Sequence, residues 1–514
     1  MTWVRMGDRR RDRTAVDERA QRAASGLQAL GVGPGDVVAV YLRNDFPFLE
    51  ATLAAGMVGA YTVPVNWHGT VDEARHVLED SGARVVVIHA DLLRRVGAAI
   101  PAGAAVVAVA TPPELRAAYA VPDADAAVPP GVEDWEGFLA RHPPKPPPHA
   151  VSPGSMIYTS GTTGRPKGVR RRPPTPEQTE ALQRSFGVLF ALDAWRDRMA
   201  EVVLLIPGPA YHSSPNAWMF NFYSQGANLV VEPRFDAETL LRRVEEERVT
   251  HMLAVPTMFV RLLRLPEAAR RRHDLSSLVD VMHVGSPCPP AVKRAMIDWW
   301  GPVVTEHFGS TEVGAVTYCS SAEWLAHPGT VGRPMAGCTV RVLDEEGRPL
   351  PAGQAGEVAC LRHDYPAFTY HGDDGKRRRA ARGDLVATGD VGYFDADGFL
   401  YLCGRASDMI IFGGSNVYPA EIEAELLKLP GIADCAVFGI PDDEYGEQVC
   451  AVVQPLPGVG LSSEAIRSAL GERLASYKVP RRIELAESLP REDTGKIFKR
   501  KLRDPYWQAA GRSI

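Results

Sequence analysis

Short, almost wholly apolar runs alternate with helix-like stretches along the first half of the chain, and this restricts it to an open parallel α/β arrangement. The runs "DVVAVYL" (36–42) and "ARVVVIHA" (83–90) read as strands, "YTVPVN" (61–66) as extended chain, and "AVDERAQRAASGLQALG" (15–31) and "FLEATLAAGMVGA" (48–60) as helices. The turn "GVGPGD" (31–36) has Asp36 where a dinucleotide fingerprint needs its last glycine, so it reads as a connector. Further on, "EVVLLIPGPAYHSSPNAWMF", "GANLVVEPRF", "VTHMLAVPTMFVRLL", "LVDVMHVGSPCPP" and "PVVTEHFGSTEVG" each open as a strand and end in glycine, proline or a polar turn. Ligand chemistry in open α/β sheets gathers at such strand ends.

At 514 residues the chain exceeds one ordinary core. From about residue 330 the texture changes to short strands and turns, as in "TVRVLDEEGRPL" and "VGYFDADGFLYLCGR", which predicts an antiparallel, barrel-like module. The last hundred or so residues carry helices and strands of their own. The expected layout is therefore a large domain, 1–404, of parallel α/β sheets with a small β-barrel-like subdomain, followed by a small α+β domain, 405–514. The amino-terminal segment through Ala24 reads as a helix, with no apolar stretch behind its basic residues to make a secretory signal. The longest apolar stretch, near "AAIPAGAAVVAVA", is broken by Pro101 and Gly103, short of the roughly 20 residues of a membrane span.

A net charge of −6 and a pI near 6.1 give no global attraction to nucleic acid, so any nucleotide is expected as a small ligand. Seven scattered cysteines, with no CxxC pair, predict neither a zinc site nor a disulfide framework and fit a reducing cytoplasm. The arginine runs 170–172, 270–272 and 377–379 read as solvated loop faces.

The stretch "YTSGTTGRPKGV", Tyr158 to Val169, is shaped for an anion. Gly161, Gly164 and Gly168 allow close backbone approach, and Thr159, Ser160, Thr162 and Thr163 supply hydroxyls beside a run of peptide N–H groups. Lys167 adds a positive charge and Pro166 limits the loop's freedom. It is not a Walker loop, because Lys167 follows Pro166 and precedes Gly168.

This stretch resembles the phosphate-loop signature of the adenylate-forming superfamily of acyl-CoA synthetases, adenylation domains and beetle luciferases. Four further matches follow in family order: "EHFGSTEVG" (306–314), "TGD" (388–390), "GRASDMIIFGGSNVYPAEIE" (404–423) and "PREDTGKIFKRKLR" (490–503). The resemblance extends from about Gln21 to Arg503. It implies a two-step reaction in which a carboxylate attacks the α-phosphate of ATP, pyrophosphate leaves, and the acyl group passes from the adenylate to a nucleophile, usually coenzyme A.

The same resemblance implies the roles of particular residues. Thr159, Ser160, Gly161, Thr162, Thr163 and Gly164 would hold the β- and γ-phosphates, assisted by Lys167. Glu312 matches the magnesium ligand, with Thr159 as the second. Phe308 and the backbone of Gly285, Ser286 and Pro287 would adjoin adenine, with Gly309, Ser310 and Thr311 completing the nucleotide site. Asp390 and Arg405 match the ribose-binding pair, His212 the residue that gates the carboxylate pocket, and Lys496 the lysine bridging carboxylate and α-phosphate. Gly413 and Gly414 would let a pantetheine arm pass. The family hinge residue falls on Ser407 or Asp408, and the sequence leaves both open. Segments 211–222 and 283–287 are expected to line the acid pocket, where Trp218, Phe220 and Phe222 suit an apolar acid or simply pack in the core. The expected substrates are ATP with Mg2+, a small fatty, aromatic or alicyclic carboxylic acid, and coenzyme A. A free-standing amide ligase acting on an amine shares every motif. A non-catalytic nucleotide-binding protein is disfavoured because Lys496 and Glu312 are both present. A homodimer is left open.

Overall fold

In the computed structural model, which describes residues 2–144, 150–159, 165–412, 415–491 and 497–510, the alternating pattern becomes two parallel sheets. Strands Tyr61–Pro64, Val37–Tyr41, Val85–His89, Ala105–Val109 and Glu133–Asp134 lie side by side in that order, every pairing parallel. Val37–Tyr41 and Val85–His89 are buried at all five positions. Stiff β-branched side chains without polar alternation are what a strand covered on both faces requires.

The second sheet runs Val304–Glu306, Asp280–His283, His251–Ala254, Val203–Ile206, Asn228–Val231, Trp3–Met6, with Arg9–Asp12 antiparallel at the edge. One core joins the two sheets: Val4, Leu204 and Leu229 from one and Val38, Val40 and Val85 from the other, with Ala23, Leu27, Phe48 and Ala51 of helices Arg13–Ala29 and Phe46–Met57 in the same cluster. Helix Phe46–Met57 is buried nearly all round, as its position in the shared core demands. Its Glu50, 0% exposed, accepts hydrogen bonds from Arg11 at 2.6 Å, Arg19 at 2.7 Å and Trp135 at 3.0 Å, which compensate the buried charge.

The amino terminus corrects an expectation. Residues 3–12 form a hairpin, Trp3–Met6 with Arg9–Asp12, and the helix begins only at Arg13. Arg5 pairs with Glu247 at 2.7 Å, Arg9 with Asp45 and Glu114, and Arg11 with Glu50, so acidic groups from distant elements neutralise an edge whose composition looks unlike a strand.

The antiparallel module predicted beyond residue 330 is a five-stranded sheet: Cys338–Leu343, Gly356–Arg362, Leu385–Phe394 and Ala381–Arg382, with Leu400–Arg405 paired to Leu385–Phe394. A last sheet, from Ile410–Phe412 to Arg482–Leu485, has its own core, in which Ile422 and Leu426 of helix Pro419–Leu426 and Ile466 and Leu470 of helix Ser463–Gly471 cluster with Val437, Val449 and Ala451. Among the described residues no helix is long and apolar enough to cross a membrane.

Candidate active site

A three-stranded antiparallel sheet organises the site: Phe368–Tyr370, Lys167–Arg171 and Ile157–Thr159. Thr159 pairs with Lys167 across it, so strands Ile157–Thr159 and Lys167–Arg171 form a hairpin that brackets the glycine- and hydroxyl-rich stretch in sequence. Ser160, Gly161, Thr162, Thr163 and Gly164 themselves lie outside the described residues. Gly168 serves close approach, since a Cβ there would sit 3.0 Å from both Met156 and Tyr158. Helix Val71–Ser81 touches the hairpin with two residues one turn apart. His76 Nε2 lies 2.8 Å from the Pro166 carbonyl, and Asp80 accepts from both Lys167 Nζ and the Tyr158 hydroxyl at 2.8 Å. Burial opposes the charge on Asp80, but these bonds outweigh it and hold its carboxyl below the usual range.

The segment bearing Glu312 is fastened to this sheet. Gly309–Ser310 turns back on Gly314–Ala315 so tightly that a Cβ on Gly309 would meet the Gly314 carbonyl at 1.9 Å. Ser310 Oγ accepts from the backbone N–H of Glu312 at 3.2 Å, and Thr311 Oγ1 donates to Ser213 at 3.3 Å. Arg171 donates to the carbonyls of Thr311 and Glu312, the latter at 2.7 Å, and to that of Pro366 at 3.1 Å. Tyr370 OH donates to Glu312 Oε1 at 2.9 Å. Burial and the adjoining Glu312 carboxylate push the Tyr370 hydroxyl up, so it remains a proton donor. Three stretches remote in sequence thus form one unit. Part of the basic run 170–172 that closes the hairpin, read from sequence as a solvated face, is the clamp that joins them.

Asp390 and Arg405 face each other across neighbouring strands, and Arg405 Nε lies 2.9 Å from Asp390 Oδ1. His212 is the N-cap residue of helix Ser213–Gln225, its ring 4.2 Å from that of Tyr211. Gly285 takes a left-handed φ of +90° just beyond strand Asp280–His283; it and Pro287 are exposed and Ser286 half-buried. Phe308 is buried among Val313, Val316, Val340 and Val358. Trp218 and Phe222 pack in the core against Phe190, at 4.1 and 5.4 Å between ring centroids, while Phe220 is only partly buried. Gly413, Gly414 and Lys496 lie outside the described residues.

A buried charge cluster underlies the strand ends, and sequence reasoning missed it. Lys293 Nζ donates to Glu306 Oε2 at 2.6 Å, and His283 Nε2 lies 3.3 Å from the same oxygen. Lys293 and His283 are both 0% exposed. Burial alone would raise the Glu306 carboxyl, but His283 and Lys293 hold it down at about 2. Burial keeps His283 itself below its usual range. Asp80, Tyr370 and Lys293 carry no local motif, so no sequence signal marked them; Arg171 was visible only as part of a basic run.

A hairpin tied to a carboxylate-bearing segment near parallel strand ends stands where open α/β folds bind their ligands. The profile of the AMP-binding enzyme family matches residues 4–370, that of the AMP-binding enzyme C-terminal domain matches 421–496, and the chain belongs to this adenylate-forming family. It is 32% identical over 509 residues to a fatty acid–[acyl-carrier-protein] ligase of Streptomyces coeruleorubidus, covering 96% of this chain and 91% of that protein. It is likewise 32% identical over 511 residues to a feruloyl-CoA synthase of an Amycolatopsis species, covering 98% and 95%. A solved anthranilate CoA ligase in complex with anthranoyl-AMP superposes with a TM-score of 0.84 at 25% identity, covering 99% of this chain and 95% of that one.

Proposed function

We infer that this chain is an AMP-forming carboxylic acid ligase that activates an apolar fatty, aromatic or alicyclic acid with ATP, releases pyrophosphate and transfers the acyl group to the thiol of coenzyme A. The observation that carries the reading is the fastening of the hairpin 159–171 to Glu312 through Arg171 and Tyr370. Two anions must meet, so a site for this reaction needs oriented N–H donors and cations beside a carboxylate that can hold a metal.

In this reading residues 159–164 and Lys167 cradle the β- and γ-phosphates. Gly285–Pro287 and Phe308 bound the adenine, and Gly309–Thr311 shape the turn beneath it. Asp390 accepts from a ribose hydroxyl, and Arg405, already aligned with it, donates to the other. His212 orients the acid, Lys496 bridges its carboxylate to the α-phosphate, and Gly413 and Gly414 leave room for the pantetheine arm. The donor set suits magnesium, a hard cation that prefers oxygen: the Glu312 carboxylate and the Thr159 hydroxyl would hold it, with the remaining positions left to phosphate and water. When bound, the ion would neutralise phosphate charge as the α–β bridge breaks. On this reading the domain boundary stays at 404/405, and strand Leu400–Arg405 ends there. The free cysteines suit a cytoplasmic setting.

Acid-dependent exchange of labelled pyrophosphate into ATP, followed by AMP release with coenzyme A, a carrier protein or an amine, tests the reading. No exchange with any acid of a fatty, aryl and polycyclic panel overturns the adenylation, and AMP release only with an amine overturns the acceptor. Lys496→Ala is expected to slow adenylation by roughly 3 to 4 kcal/mol of transition-state stabilisation while sparing thioester formation from a synthetic acyl-adenylate.

A further inference from the structure

The helix Asp374–Arg379 carries the arginine run 377–379 that sequence reasoning assigned to a solvated face, with Lys376 just before it. The side chain of its capping residue, Asp373, accepts from the backbone N–H of Lys376 at 2.8 Å, which fixes where Lys376 leaves the helix. The Lys376 ammonium lies 4.1 Å over the Tyr370 ring, whose hydroxyl donates to Glu312. It is therefore one aromatic ring away from the carboxylate assigned above to the metal.

Its neighbours separate it from the other cations of the region. Lys167 is paired with Asp80, Arg171 with backbone carbonyls and Arg382 with Glu357. Among the described residues Lys376 has no carboxylate within ion-pair distance, although it is half-buried. Burial works against its charge and outweighs the nearby Glu312 and Asp373 carboxylates, with Lys167 and Arg379 adding to it, so the ammonium is held below its usual range. Next to it Arg377 stacks 4.8 Å over Phe368. A half-buried cation among cations gains most when an anion arrives.

We propose that Lys376, acting with Lys167 on the Glu312 side of the hairpin, forms the subsite that holds the leaving pyrophosphate. This deepens the adenylation reading and rests on it. In that step an oxygen of the acid carboxylate forms a bond to the α-phosphorus as the bond from that phosphorus to the α–β bridging oxygen breaks. The electron pair leaves with pyrophosphate, and no proton has to move. The charge that grows on the departing group is what Lys376 meets, and Tyr370 keeps it in register with Glu312.

The test variant is Lys376→Met, which keeps an aliphatic chain over Tyr370 and removes only the charge. Titration of inorganic pyrophosphate with magnesium into the full chain is expected to show binding weakened by about tenfold or more in the variant and largely restored in Lys376→Arg. In ATP synthesis from a synthetic acyl-adenylate, KM for pyrophosphate is expected to rise by a similar factor of about ten, while thioester formation from the same adenylate and coenzyme A keeps at least about half its rate. Unchanged pyrophosphate affinity, or equal loss of both half-reactions in folded protein, overturns the proposal. The binding titration needs no acid and no turnover, so a chain that binds pyrophosphate through Lys376 yet exchanges none of it with any acid faults the adenylation reading instead.

Discussion

Two charged clusters lie near the Glu312 segment and are built on opposite principles. In one, Lys293, Glu306 and His283 are sealed from water, with Lys293 hydrogen-bonded to Glu306 and His283 beside the same carboxylate. In the other, Lys376 is half-buried near Lys167 and Arg379 with no carboxylate within ion-pair distance among the described residues. Buried ions are tolerated only when compensated inside the protein, whereas a partly wet cationic cluster can stay incomplete until a ligand joins it. The first cluster therefore belongs to folding and the second to ligand binding, and substitutions should separate the two.

The largest effect is expected at the sealed cluster. Lys293→Met leaves Glu306 as an uncompensated buried carboxylate and should cost about 3 to 5 kcal/mol, read from the first transition in urea denaturation. Pairing it with Glu306→Gln should recover most of that loss. A single variant within about 1 kcal/mol of the parent would mean that the cluster is not self-neutralised. Next comes Glu312→Gln, which should leave denaturation unchanged and slow adenylation by at least about a hundredfold, because a neutral amide holds magnesium poorly. Near-normal turnover at saturating magnesium would remove Glu312 from the metal site.

The sealed cluster was invisible in the sequence for a physical reason. Lys293 lies in "AVKRAMIDWW" among residues that suit any amphipathic helix, and only the parallel register that sets His283 beside Glu306 gives it a partner. By contrast, the valine runs 37–41 and 85–89 announced buried parallel strands, because burial on both faces is written into composition. The hairpin 3–12 was misread as a helix since the carboxylates that neutralise its arginines come from residues 45, 50, 114 and 247. The motifs "YTSGTTGRPKGV" and "EHFGSTEVG" were legible one at a time; that Arg171 and Tyr370 join them was not, because hydrogen bonds spanning 58 and 141 residues have no local pattern.

Acid should distinguish the clusters more gently. Glu306 is held at about 2 in the folded chain against an ordinary value of 4.5, so the native state binds fewer protons there than the unfolded one. The stability it contributes is complete above about 4.5 and is lost as the pH falls toward about 2. His283, also depressed, acts with the same sign at higher pH, because unfolding lets it take up a proton. The parent should therefore lose stability progressively on acidification, and Glu306→Gln should flatten the part of the curve below 4.5. An unchanged slope in that variant would assign the acid sensitivity to other carboxylates.

The smallest effect concerns the junction of the two domains, where the sequence left Ser407 and Asp408 as equal candidates for the pivot. Both lie in one 3-10 turn, Ala406–Asp408, but only Asp408 reaches toward the last helix, with Oδ1 4.0 Å from Arg503 of Lys499–Ala509. The Asp408 side chain is 39% exposed, so the pair is worth at most about 1 kcal/mol. A contact that weak cannot lock an orientation, yet it can bias one. If Asp408 is the pivot of a carboxy-terminal domain that takes a different orientation in each half-reaction, its ion pair with Arg503 should differ between adenylation and thioester formation. Arg503→Ala should then shift the ratio of the two half-reaction rates by about twofold to fivefold, the range so weak a pair allows, and added salt should shrink the difference. Ser407→Ala, which removes no charge, should leave the ratio where it was. The reverse pattern, a shift in Ser407→Ala and none in Arg503→Ala, would move the pivot to Ser407 and leave the Asp408–Arg503 pair as surface chemistry only.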